Sequence, residues 1–272
     1  MTYKLLALDM DGTLLTSDKR VLPKTRAALE QLAERGTPLA YCTGRNNLEL
    51  LHWPQELPFI RYGVLASGAI IYDFAEGRAL KTRALDVDSL LAALEIAQAE
   101  EVMPHVMAVH ASVVRPCDLT NMVHFGMGVY QGMFERICTL DDDPASWIRA
   151  NPGQVVKLNF YHTSSQARDR TRARLAAAGL PLTLANAEEG SVECSAKGVN
   201  KGDGLRILAS HLGATLAEVV AVGDSDNDVA ALSAVGMPVA MGNAPQEVCE
   251  LARLVVADND HDGIVEVIER LF

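Results

Sequence analysis

The chain opens on an unbroken apolar run, Leu5–Leu8, that leads straight into Asp9. So short a run, apolar at every position, predicts a strand buried on both faces of a parallel sheet. Residues 23–35 (PKTRAALEQLAER) predict a helix: Pro23 stands in the first turn, Ala28, Leu29 and Leu32 recur near helical spacing, and Gly36 follows. Residues 37–42 form a second apolar run, closed by Thr43-Gly44-Arg45-Asn46-Asn47, and residues 62–66 a third, closed by Ser67-Gly68-Ala69. Residues 70–74 and 78–82 flank Ala75-Glu76-Gly77 and predict a hairpin.

From about Arg83 the pattern changes. Residues 86–101 carry a helical stripe of Leu90, Leu91, Leu94 and Ala97; 106–114 reads as a strand, 157–161 as another, 165–178 as a helix closed by Gly179, and 181–185 as a last strand. Residues 116–138, rich in glycine and methionine, have no assignable pattern. From Val192 the earlier style returns: a short strand at 192–195, a helix at 202–212, an apolar strand at 219–222 leading into Gly223-Asp224-Ser225-Asp226-Asn227-Asp228, and helix, strand, helix, strand, helix to the end. The expected fold class is α/β. A doubly wound parallel sheet, discontinuous over 1–82 and 191–272, would form the core, with an inserted α+β domain over 83–190.

A chain of 272 residues can bury a core of this size. Its net charge of -11 argues against a nucleic-acid backbone as partner, while leaving room for a small anion beside a local cation. No run is long enough to span a membrane, and the N-terminus lacks the form of a signal peptide. The five cysteines are scattered with no metal-ligand spacing, which suits reduced thiols in a cytoplasmic protein. The seven histidines are isolated from one another, Gly126, Gly128 and Gly132 have the wrong spacing for a nucleotide fingerprint, and Arg168, Arg170, Arg172 and Arg174 spread over two helix faces.

If the strand reading holds, Asp9 and Asp11 project from the end of the first strand, and Asp224 and Asp228 gather at the same crevice beyond the carboxyl ends of the strands. Like charges about 4 Å apart repel by roughly 4 kcal/mol at an effective dielectric of about 20, so four such acids need a cation or shared protons. An all-oxygen site with room for water suits Mg²⁺. Thr43, after the second strand, is expected near Asp9. By spacing alone, Lys197 and Lys201 are equal candidates for a nearby cation.

The string DMDGTLL, residues 9–15, resembles the signature of the haloacid dehalogenase-like superfamily of phosphohydrolases. Thr43 matches the hydroxyl motif, Lys201 within VNKGDGL the lysine motif, and GDSDND the acidic motif, all in order along the chain. The insert between the second and third motifs resembles the cap domain of the Cof-like branch, whose members dephosphorylate sugar phosphates and some phosphorylated cofactors. The resemblance implies an Mg²⁺-dependent phosphatase of small phosphorylated molecules in which Asp9 is the nucleophile and Asp11 the general acid/base. It implies metal ligation by Asp9, Asp224, the backbone carbonyl of Asp11 and Asp228. Thr43 and Lys201 would hold the phosphoryl group, with the amides of Met10 and Gly44 and the side chain of Asn227. Arg45 and Asn243 would reach the substrate, whereas Ser67 departs from the branch, where Asn is usual. A phosphomutase and a noncatalytic sensor of phosphorylated metabolites are the alternatives. The expected assembly is a monomer or homodimer.

Overall fold

A computed structural model describes residues 3–186 and 189–272. In chain order its strands are β1 (Leu5–Leu8), β2 (Leu39–Cys42), β3 (Tyr62–Leu65), β4 (Ile70–Asp73), β5 (Arg78–Thr82), β6 (Val102–Ala108), β7 (Ser112–Val114), β8 (Thr139–Leu140), β9 (Val155–His162), β10 (Leu182–Ala185), β11 (Ser191–Ala196), β12 (Val219–Gly223), β13 (Met237–Ala240) and β14 (Leu254–Val255). They form two open sheets, ordered β14-β13-β12-β1-β2-β3-β4-β5 and β10-β11-β9-β6-β7-β8. The chain divides accordingly into two units. The first holds residues up to 45, 50–81 and from 200 onward; the second holds 46–49 and 82–199.

In the first unit β1 lies between β12 and β2, parallel to both. All four of its residues are buried. Leu5 and Ala7 face the helices Lys201–His211 and Val229–Ala234, through Leu205, Leu208, Ala231 and Leu232. The helix Pro23–Glu34 packs with the closing helix Gly263–Leu271. Covering on both faces explains why β1 is apolar throughout. From β1 the chain runs outward through β2 and β3, then returns from the second unit to β12 on the other side of β1. That reversal of strand order is the topological switch point, the place where open α/β sheets bind ligands.

The sheet of the second unit is largely antiparallel, with β7 and β8 paired in parallel. One face packs Val106, Leu158, Phe160, Val192 and Cys194 against Leu90, Leu94, Ile148 and Leu175 of its helices. The other packs Met103 and Tyr161 under Met122, Phe125 and Phe134. These come from the segment without assignable pattern, which folds as the short turns Pro116–Leu119, Met122–Phe125 and Gly128–Tyr130 and the helix Gln131–Ile137.

Three expectations are corrected. Residues 106–114, expected as one strand, make the β6–β7 hairpin, because the chain reverses at 109–111 and Val106 pairs Val113. The strand at 192–195, assigned to the core, is part of β11 and pairs with β9 and β10 in the second sheet. Its alternation of Val192 and Cys194 with Glu193 and Ser195 is the period-2 pattern of an antiparallel sheet, unlike the continuous apolar runs of the core. The boundary therefore falls between Val199 and Asn200 rather than at 190/191, and residues 46–49 group with the second unit.

Candidate active site

Asp9 follows β1 at the switch point, 5% exposed, and its amide donates to Val222 O of β12 (3.0 Å). The loop behind it is wound tightly, with the amides of Thr13 and Leu15 donating to Met10 O and that of Leu14 to Asp9 O. Gly12 takes φ +84°, and a Cβ there would fall on Asp224 Oδ2. Thr13 Oγ1 donates to Asp224 Oδ1 at 2.7 Å, tying the first acidic loop to the second.

Lys201 is the first residue of its helix, fully buried, behind the N-cap Asn200, whose Oδ1 accepts from Asp203 N (2.9 Å). Its ammonium donates to Asp9 Oδ1, Asp228 Oδ1 and Asn227 Oδ1, each at 2.7 Å. Burial works against its charge, but Asp228 and Asp9 more than offset this, so Lys201 stays protonated. Its helix start abuts the turn Ala66–Gly68, where a Cβ on Gly68 would collide with Asn200 O. That turn takes φ of 48° at Ala66 and 55° at Ser67, strain that a non-glycine residue accepts only where its surroundings hold it. Here it holds the loop after β2: Ser67 N donates to Thr43 O and Ala66 N to Arg45 O.

Asp9, Asp224 and Asp228 each bring a carboxylate oxygen within 4.8 Å of the others. Asp228 Oδ2 also caps its own loop, accepting from the amides of Asp224 (3.0 Å) and Ser225 (3.1 Å). Among the described residues no donor reaches Asp9 Oδ2 or Asp224 Oδ2. Burial, with Asp228 beside it, pushes Asp224 up to about 7; burial and the neighbouring acids raise Asp9 well above the usual carboxylate range despite Lys201. Three carboxylates against one ammonium leave an uncompensated charge in a buried place. A divalent cation with oxygen ligands fits that donor set.

The other predicted residues are distributed as follows. Asp11 lies to one side of the cluster, bound by Arg45 through Nε and Nη2 (2.7 Å each) and by Lys19 Nζ (2.7 Å). Burial would raise it, but Arg45 and then Lys19 more than reverse this and hold it at about 2. Thr43 is buried beside β1's neighbour β2, and its Oγ1 accepts from Arg45 N (3.2 Å). Met10 is fully buried and Asn227 half-buried. Arg45 and Asn243, expected to reach the substrate, both bond to the acidic loop: Arg45 through Asp11, Asn243 by donating from Nδ2 to Gly12 O (2.9 Å). Gly44 stands between Thr43 and Arg45 in that loop.

The sequence profile of the haloacid dehalogenase-like hydrolases matches residues 6–268. The chain belongs to this family. Among haloacid dehalogenase-like relatives, it is 32% identical to an HMP-PP phosphatase of Enterobacter sp. (strain 638), over 93% of this chain and 89% of that protein. It is 26% identical to the 5-amino-6-(5-phospho-D-ribitylamino)uracil phosphatase YcsE of Bacillus subtilis (strain 168), covering 97% and 94%. A solved haloacid dehalogenase-like hydrolase from B. subtilis superposes with a TM-score of 0.88 at 26% identity, covering 99% of this chain and all of that one. The chain is thus a phosphoric monoester hydrolase of the Cof-like branch, a phosphatase of small phosphorylated substrates. No helix among the described residues is long and apolar enough to cross a membrane.

Two contributors to this haloacid dehalogenase-like site escaped the sequence reading. Thr13 stood inside the first motif without a role of its own, and Asn200 gave only the ordinary signal of an N-cap. Gly12 is testable directly. Gly12→Ala would meet both the positive φ and Asp224, so it is expected to cut kcat/KM at least about tenfold and to destabilise the fold by about 1–3 kcal/mol. Steady-state kinetics with thermal unfolding of the same preparation measures both.

Proposed function

We infer that this phosphatase is Mg²⁺-dependent and works through an aspartyl phosphate on Asp9, with the second unit serving as the cap that selects the substrate. The observation carrying this is the convergence on Asp9 of Lys201 at 2.7 Å and of Asp224 and Asp228 within 4.8 Å, at the switch point of the sheet. An Asp9 oxygen attacks phosphorus, the P–O bond to the organic group breaks, and the leaving oxygen takes a proton from Asp11. Asp11, now the base, removes a proton from water as that water attacks the phosphoryl group, releasing phosphate and restoring Asp9. As an acid Asp11 must first give up its bonds to Arg45 and Lys19, which favour its ionised form. Lys201 and Thr43 hold phosphoryl oxygens, with the amides of Met10 and Gly44 and the side chain of Asn227.

Asp9 and Asp224, the Asp11 carbonyl and Asp228 would hold Mg²⁺, which offsets the repulsion between a carboxylate nucleophile and an anionic phosphate. Phosphate release from a panel of sugar phosphates, nucleotides and phosphorylated cofactors is expected in Mg²⁺ and to fall to background in EDTA. Mg²⁺ at a hundredfold excess over its Kd should also stabilise the protein by about 2.7 kcal/mol, an effect absent in Asp224→Asn. Equal release with and without chelator would sink the metal assignment.

Sugar phosphates are the substrate class that the Cof-like resemblance implies. A second class is favoured by YcsE, whose named substrate joins a phosphorylated ribityl chain to a uracil ring. Phosphorylated heterocycles and cofactors therefore belong in the same panel.

A further inference from the structure

The turn that follows the acidic loop presents a lysine in a backbone conformation that side chains rarely adopt. Lys19 has φ 59°, in the left-handed region that favours glycine. A lysine stays there only where its surroundings hold it. The turn supplies part of that hold: Lys19 N donates to Thr16 O (2.8 Å), Thr16 N to Arg20 O (2.8 Å) and Arg20 N to Thr16 Oγ1 (3.2 Å). The loop before the closing helix supplies the rest. Asp260 accepts from Ser17 N (2.9 Å) and Ser17 Oγ (2.7 Å), and Asn259 Nδ2 donates to Leu15 O (2.8 Å).

The product of this bracing is the placement of one ammonium. Lys19 Nζ donates to Asp11 Oδ1 at 2.7 Å, while Arg45, on the separate loop after β2, donates from Nε to Oδ2 and from Nη2 to Oδ1. All these residues belong to the first unit. A two-point bond to one guanidinium sets the plane of the carboxylate, yet leaves the two groups able to shift as a pair. A second donor from another loop removes that freedom. Both donors are cations, so the form of Asp11 they hold is the ionised one. Asp11 is ionised after the leaving group has taken its proton, when water attacks the aspartyl phosphate.

We propose that Lys19 is a positioning residue for this second half of the reaction, holding Asp11, together with Arg45, where it receives the proton of the attacking water. The water oxygen bonds to phosphorus, its proton passes to Asp11, and the bond from phosphorus to Asp9 breaks. The proposal rests on the reading of Asp11 as acid and base given above, and adds the residue that fixes it as base.

The test follows p-nitrophenyl phosphate in Mg²⁺, because p-nitrophenolate leaves without a proton and so reports the first half apart from the second. Lys19→Gly suits the backbone, and Lys19→Met keeps the length of the side chain without its charge. Each is expected to release a burst of about one nitrophenolate per active site, then to run at a steady rate at least about tenfold below wild type, with KM lowered in proportion. Lys19→Arg should restore the steady rate to within about threefold of wild type. A residue that only braced the loop, or that gripped the substrate's phosphate, would instead lower kcat/KM without a burst. That result, a wild-type steady rate, a burst in Lys19→Gly that Lys19→Met lacks, or an Lys19→Arg protein no faster than Lys19→Met would each overturn the proposal. Asp11→Asn tests the underlying reading, since it should stall in the same way. A stall there with none in the lysine variants sinks this inference alone; no stall there removes Asp11 as the base and this inference with it.

Discussion

Asp9→Asn is expected to lower phosphate release by at least about 10⁴-fold, equivalent to about 5.5 kcal/mol of transition-state stabilisation, with the fold intact. The amide keeps the shape of the carboxylate but cannot form the phosphoenzyme. Folding should survive because Asp9 is a buried acid whose charge its surroundings oppose: burial comes first, then Asp228 and Asp224, against Lys201 alone. Lys201 keeps Asp228 and Asn227 as partners when Asp9 loses its charge. Single-turnover phosphate release, read with the melting temperature, measures both halves. Turnover within tenfold of wild type would remove Asp9 from the role of nucleophile.

Lys201→Met is expected to damage stability and chemistry together. The ammonium is fully buried and is the cation that Asp9 and Asp228 share. Removing one partner of a buried ion pair typically costs about 3–5 kcal/mol, because the remaining charges are left uncompensated. Chemical denaturation in EDTA should show a loss of that order. Added Mg²⁺ should recover part of it by neutralising the same carboxylates, whereas phosphate release should not recover, since the phosphoryl oxygens have lost their donor. A variant as stable as wild type in EDTA would mean that the cluster manages its charge without Lys201. Recovery of both stability and turnover in Mg²⁺ would reduce the lysine to a scaffold role.

Arg45 and Asn243 mark a different kind of result. Each was singled out for its place in a motif, and each lies in the catalytic unit, yet both bond to the loop that carries the acids rather than standing free. A motif position identifies the neighbourhood of a side chain; its partner depends on which loops approach from elsewhere in the chain. Asn243 meets Gly12 across a separation of 231 residues, a contact that no local pattern encodes.

The sequence by itself determined the catalytic half of this protein. A strand apolar at every position, then two acids and a glycine, can hardly be anything but a buried parallel strand ending in a polar crevice, because the two-faced burial of β1 leaves no position for polarity until Asp9. The same logic marked β2 and β12, and with them Thr43 and Asp224. Tertiary structure alone decided where the insert ends, since the alternation in β11 shows its meaning only when β9 and β10 pair with it. The lysine motif had already favoured Lys201 over Lys197; what the assembled elements add is its burial to zero exposure among three acceptors. The polar row of Glu193, Asn159 and His105 across β11, β9 and β6 belongs to the same category. Its members are far apart in the chain and unremarkable one at a time, and only strand register, which long-range pairing sets, brings them side by side.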